Sequence, residues 1–173
     1  MIFLRHPVPD TVPGLCYGRM DLGLGAGATE QIERAIRVVP AGRPIISSPA
    51  QRCMALAVPL AQRGGDQPVQ DARLWEMDFG KWEGMMWDDI PRDESDPWAE
   101  DAFSLAPPGG ESFAAVCSRV NAAISDAPAD VIIVAHAGVI RAAQMILTGQ
   151  SFDAVFANPV PYAEPIEIKL RAA

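Results

Sequence analysis

The sequence predicts an α/β sandwich built on a largely parallel sheet, and three of its features carry that expectation. Short apolar runs alternate along the chain with segments whose apolar residues recur every three or four positions. One run, Val131 to Val134, is wholly β-branched, the composition of a strand buried on both faces. Short links, rich in glycine and proline, separate the two kinds of segment.

Taken in order, Met1 to Leu4 reads as a buried strand that ends at Arg5-His6 and gives way to a loop broken by Pro7, Pro9, Pro13 and Gly14. A helix is expected over 29–39, with Thr29 as its N-cap, Glu30 in its first turn and Pro40 and Gly42 beyond its end. A second strand at 44–46 runs into Ser47-Ser48-Pro49. There Ser48 and Gln51 have the spacing of a capping box, and Pro49 takes the favoured first position of a helix closed by Gly64-Gly65. A third strand is expected at 69–74. Residues 88–110 are acidic and carry Pro91, Pro97, Pro107 and Pro108, which reads as an irregular insertion or partial lid. The remaining elements are a helix over 111–125, the 131–134 strand, a helix over 139–147 stopped at Gly149, and a final strand at 166–170. No internal repeat or low-complexity linker interrupts the chain, so residues 1–173 are expected to form a single domain.

Composition narrows the function. A net charge of −8, from 22 acidic against 14 basic residues, argues against nucleic acid as a partner, which requires a basic patch. No run approaches the ~18 apolar residues of a membrane span, and the N-terminus meets a charge at Arg5, too early for a signal peptide. A soluble, cytoplasmic protein is expected. Cys16, Cys53 and Cys117 are odd in number and widely spaced, the pattern of reduced thiols rather than of disulfides or zinc ligands.

The chain has two histidines, and each stands directly after an apolar strand-like run, MIFLR-His6 and VIIVA-His136. A single histidine at a strand end is as readily a satisfied structural group. Two in equivalent places, at the carboxyl ends of strands where open α/β sheets gather their ligands, point to a paired site. Arg5 adjoins the first, and Arg52 follows the second strand at a helix start, where free backbone N–H groups also favour anions. The guanidinium fork suits phosphate oxygens. A metal would need three or four neighbouring ligands, and no HxxxH, HExxH or CxxC spacing is present, so neither metal nor other cofactor is expected.

These residues lie in segments with a familiar order: Arg5-His6, SSPAQRCMALA at 47–57, LWEMDFGKWEG at 74–84, PPGGES at 107–112 and VAHAGVIR at 134–141. Together they resemble the histidine phosphatase superfamily, also called phosphoglycerate mutase-like, and CYGRMDLGL at 16–24 is similar to its α-ribazole phosphatase branch. The resemblance implies a three-layer α/β/α sandwich and a phosphomonoesterase acting on a small phosphorylated metabolite, α-ribazole 5′-phosphate among the candidates. It implies His6 as nucleophile, Arg5 and Arg52 as phosphate clamps, a protonated His136 beside them and Glu76 as proton donor. Homodimerisation is compatible with the sequence. The chain departs from the family pattern at Pro7 and Pro9, which stand in place of a glycine and a threonine, at Leu56, where the family often has threonine, and at Ala137, where it often has glycine. Pro7 still offers a carbonyl to the histidine ring. A mutase passing the phosphoryl group to a second hydroxyl, and a non-catalytic phosphate-binding protein of the same fold, are the alternatives.

Overall fold

The computed structural model describes residues 1–169. Five strands form one sheet: β1 (Ile2–Arg5), β2 (Ile45–Ser47), β3 (Val69–Gln70), β4 (Ile132–Ala135) and β5 (Pro165–Glu167), in the order β3-β2-β4-β1-β5. All neighbours are parallel except β1 and β5, which run antiparallel. Among the described residues six α-helices pack around it: α1 (Ala28–Val38), α2 (Gln51–Gln62), α3 (Arg92–Glu100), α4 (Phe113–Asp126), α5 (Ala137–Thr148) and α6 (Phe152–Phe156).

The alternation of side chains along the central strands creates the layers. Phe3, Ile133 and Ala135 point into one core with Phe113, Val116 and Val120 of α4 and Val139 and Ile140 of α5. Leu4, Ile132 and Val134 point into the other, against Ala35 of α1 and Leu56, Ala57 and Leu60 of α2. A sheet buried on both faces has no polar side, which accounts for the unbroken apolar reading of β1 and β4. The architecture is the expected α/β/α sandwich with a mostly parallel sheet.

Adjacent placement of β1 and β4 matters most for chemistry. Arg5 pairs with Ala135 in register, and the His6 amide donates to the Ala135 carbonyl at 2.9 Å. His6 and His136 thus leave neighbouring strands at the same edge, and Ser48 joins them because its amide donates to the Val134 carbonyl at 2.9 Å.

Several local expectations fail for identifiable reasons. The capping box at Ser48 and Gln51 does not form, and Pro49 is not helical, because α2 begins at Gln51 with Ala50 as its N-cap. Asp21, from a distant loop, accepts the Gln51 amide at 2.8 Å instead, leaving the Ser48 hydroxyl for His136. Gly27, in the left-handed region, starts α1 in place of Thr29. The third strand stops at Gln70, where Asp71 caps a 3₁₀ turn over Ala72–Leu74. The stretch 88–110 is not wholly irregular: α3 occupies its first half, with Pro91 ahead of the first turn, where a missing N–H costs nothing, and Asp93 and Glu94 near the positive end of the helix. The expected strand at 166–170 is observed as Pro165–Glu167, and Leu170 lies outside the described residues. Among the described residues no helix is long and apolar enough to cross a membrane.

Candidate active site

His6 is buried, and its Nδ1 lies 2.7 Å from the Pro7 carbonyl. A carbonyl only accepts, so Nδ1 carries the proton and Nε2 keeps the lone pair. Burial pulls the His6 pKa down to about 3; the Pro7 hydrogen bond opposes that shift, and the charges of Arg52 and Arg5 reinforce it. The imidazole is neutral at any ordinary pH.

His136 is the N-cap of α5 and is completely buried, its ring centroid 5.2 Å from that of His6. Nδ1 lies 3.3 Å from Nη2 of Arg52 and Nε2 lies 2.8 Å from the Ser48 hydroxyl. Because arginine only donates, Nδ1 accepts and Nε2–H donates to Ser48. Burial holds the His136 pKa well below its ordinary value, and His6 and the neighbouring arginines push it the same way. The protonated His136 expected from the family is therefore neutral while the site holds no anion, and a bound dianion would reverse the local Coulomb sign.

The two arginines are held by neutral acceptors. Arg5 donates from Nη1 to the Val160 carbonyl and from Nη2 to the Tyr162 hydroxyl, both at 2.9 Å, with its guanidinium 3.8 Å above the Tyr162 ring centroid. Arg52, fully buried, donates from Nη1 to the Met20 carbonyl at 2.6 Å and from Nη2 to the Gly18 carbonyl at 2.7 Å. Neither makes an ion pair among the described residues. Each keeps a buried Nε–H without an acceptor. Buried charge is normally paired, so two uncompensated guanidiniums beside two neutral imidazoles define a place for an anion.

Glu76 approaches from the other side. Its carboxylate accepts the Met77 amide on Oε1 at 3.0 Å and the Gly138 amide on Oε2 at 3.1 Å, which places it over the first turn of α5 beside His136. A Cβ on Gly138 would collide with Glu76 Oε1, so only glycine allows this approach. Arg119 of α4 fixes the backbone that leads to Glu76: Nη1 donates to the carbonyls of Arg73 (2.7 Å) and Trp75 (2.6 Å), and Nη2 to that of Glu76 (3.2 Å). Glu111 in turn grips Arg119 through Nε at 3.0 Å and Nη2 at 2.7 Å.

All five residues singled out in the sequence meet at one edge of the sheet. Sequence reasoning passed over Tyr162, which orients Arg5 and lies 5.6 Å from the His6 ring, and Tyr17, whose ring is 5.6 Å from the Arg52 guanidinium. Burial, with the adjacent Tyr162 adding to it, pushes the Tyr17 hydroxyl up to about 12, so it stays protonated. Glu83 was also missed. It accepts the amides of Arg19 (2.8 Å), Met20 (2.7 Å) and Phe79 (3.2 Å), shaping the loop whose carbonyls hold Arg52. The quoted segments were the available signal, LWEMDFGKWEG for Glu83 and CYGRMDLGL for Tyr17; Tyr162 had none.

Beyond Glu76 lies a pocket of about 110 Å³, walled by aromatic side chains from four segments and by Arg141. Among the described residues no group of three or more His, Cys, Asp or Glu is placed to hold a metal ion.

Residues 1–172 match the family model of the histidine phosphatase superfamily (branch 1). A glucosyl-3-phosphoglycerate phosphatase of Mycolicibacterium vanbaalenii is 34% identical over 176 residues, covering 88% of this chain and 76% of that protein. Phosphoserine phosphatase 1 of Hydrogenobacter thermophilus is 27% identical over 160 residues, covering 86% of this chain and 76% of that protein. The native structure of the mycobacterial glucosyl-3-phosphoglycerate phosphatase superposes with a TM-score of 0.78 at 29% identity, covering 91% of this chain and 82% of that one.

Proposed function

Because the chain belongs to the histidine phosphatase superfamily, we propose that it is a metal-independent phosphomonoesterase that carries the phosphoryl group transiently on His6. One observation carries this reading: a neutral imidazole with a free Nε2 stands beside the buried guanidinium of Arg52 and the half-buried one of Arg5, which lack a counter-anion among the described residues.

In the first step Nε2 of His6 attacks phosphorus in line, the N–P bond forms and the P–O bond to the alcohol breaks. Arg5, Arg52 and His136 receive the equatorial oxygens, and Glu76 gives its proton to the departing oxygen. His136 gains its proton with the dianion, whose charge outweighs the cations that depress it in the empty site. In the second step water attacks phosphohistidine, Glu76 takes the proton from water, and His6 Nε2 leaves with the electron pair of the N–P bond. Positioning and electrostatics supply the catalysis, and the Pro7 carbonyl fixes the tautomer that the first step requires.

The substrate is a small phosphorylated metabolite. The names of the relatives place glucosyl-3-phosphoglycerate and phosphoserine beside α-ribazole 5′-phosphate in the panel to be assayed. The mechanism is tested by quenching the enzyme during turnover of a labelled ester: base-stable, acid-labile phosphate is expected on residue 6. His6→Gln should lose the label and on the order of 10³-fold or more in kcat. A His6→Gln enzyme that retains its rate overturns the proposal, and isomer formation without phosphate release from a phosphoglycerate indicates a mutase.

A further inference from the structure

The pocket next to Glu76 bears on which alcohol leaves, and it rests on the phosphatase reading above. Its wall is built by Met77, Phe79, Trp98, Phe113, Phe152 and Phe156, with Ala137 and Gly138 joining it to the His136 end. The aromatic groups brace one another: Phe113 meets Phe152 and Phe156, each at 5.3 Å between centroids, and Phe79 meets Trp98 at 6.3 Å. Apart from Glu76, the side-chain polar atoms in this wall are donors. Arg141 lies over Phe156 at 4.4 Å and gives Nε to the Val155 carbonyl and Nη2 to the Asn158 carbonyl, while its Nη1 makes no hydrogen bond among the described residues. The Trp98 Nε1–H is buried without an acceptor.

An apolar, ring-lined space with one unspent donor, Arg141 Nη1, and a fixed positive charge selects by chemistry. A polyhydroxylated leaving group would bring hydroxyls to a wall with almost nothing to accept their protons, and each unpaired hydroxyl weakens binding. A ring bearing one carboxylate would stack on the aromatic wall and give Arg141 the acceptor it lacks. The spacing also fits. Arg141 lies three residues beyond Gly138 on α5, whose amide holds Glu76, so the cation and the carboxylate that protonates the leaving oxygen share one face of that helix and border the same pocket.

We infer that the site takes phosphomonoesters whose leaving alcohol has an apolar, ring-sized body carrying one anionic group, read by Arg141.

The test compares three esters of primary alcohols, 4-carboxybenzyl phosphate, benzyl phosphate and glucose 6-phosphate, with p-nitrophenyl phosphate as the control for phosphatase activity. The wild-type kcat/KM should fall in that order, with at least a tenfold span from the first to the third. In Arg141→Gln the ratio of 4-carboxybenzyl to benzyl phosphate should drop at least fivefold. Should that variant fail to fold, the same ratio measured on the wild type should shrink as salt rises from 0.05 M to 0.5 M. Hydrolysis of p-nitrophenyl phosphate with glucose 6-phosphate equal to or better than benzyl phosphate overturns this inference and leaves the phosphatase reading standing. So does a ratio unmoved by both Arg141→Gln and salt. No turnover of any of the four esters overturns both.

Discussion

At the scale of single residues, burial and two nearby guanidiniums keep both imidazoles uncharged while no anion is bound. Both histidines titrate in the unfolded chain near pH 6.5 and are held below that value when folded, His6 at about 3. Between those limits the unfolded chain binds more protons, so stability is undiminished above about pH 6.5 and falls as the pH drops. Each histidine adds a slope approaching about 1.4 kcal/mol per pH unit in that window. Denaturant midpoints measured from pH 7 to pH 4.5 should show this loss, and His6→Gln should flatten it by about one proton; an unchanged slope would mean that His6 is charged in the folded protein. The same two residues, with Arg5 and Arg52, were legible in the sequence because each sits where a strand or helix pattern breaks, and such breaks have a definite position in an α/β sheet. Tyr162 was not. It follows no periodic pattern, and only the folding of the last strand against β1 brings it to Arg5.

Elements, rather than residues, place Glu76. No regular structure holds it: the chain from Trp75 to Phe79 is extended or turning, and its position is fixed from outside by Arg119 on α4 and by the first turn of α5. Gly138→Ala should push the carboxylate off that turn. On an ester with a poor leaving group kcat should then fall by on the order of 10²-fold, the scale of general acid catalysis. With p-nitrophenyl phosphate, whose leaving group needs no proton, phosphorylation should survive and water attack should become limiting. A pre-steady-state burst of p-nitrophenol is the readout, and its absence would argue that Glu76 acts elsewhere. The helix ends show why local pattern misjudged neighbouring details. Ser48 and Gln51 have the right spacing for a capping box, yet a more demanding buried partner, His136, takes the serine hydroxyl, and Asp21 supplies the cap from 30 residues away. Likewise Pro91 and Pro97 suggested broken chain where α3 forms, since one proline precedes its first turn and the Trp98 that follows the other packs into an aromatic cluster with Trp82 and Trp87.

Across the whole molecule, a net charge of −8 coexists with a site whose buried groups are cationic or neutral. Inorganic phosphate should therefore bind the folded chain and not the unfolded one, stabilising it by about 2.7 kcal/mol at a hundredfold excess over its Kd. A melting temperature that rises with phosphate in the wild type but not in Arg52→Met is the expected result. Equal shifts in both would place the anion elsewhere. The layering of the fold was legible from the apolar run of β4 because a strand with no polar face has only one environment open to it. Closure of the sheet at its antiparallel edge carries a consequence for the order of assembly. A ribosome that has reached Gly149 has already delivered both rings and both guanidiniums, but not the carbonyl of Val160 or the phenol of Tyr162 that aim the first arginine. The first arginine is thus aimed only once Pro165–Glu167 has clasped β1, and Tyr162→Phe, which keeps the ring and removes the acceptor, should lower turnover while leaving the melting temperature nearly unchanged.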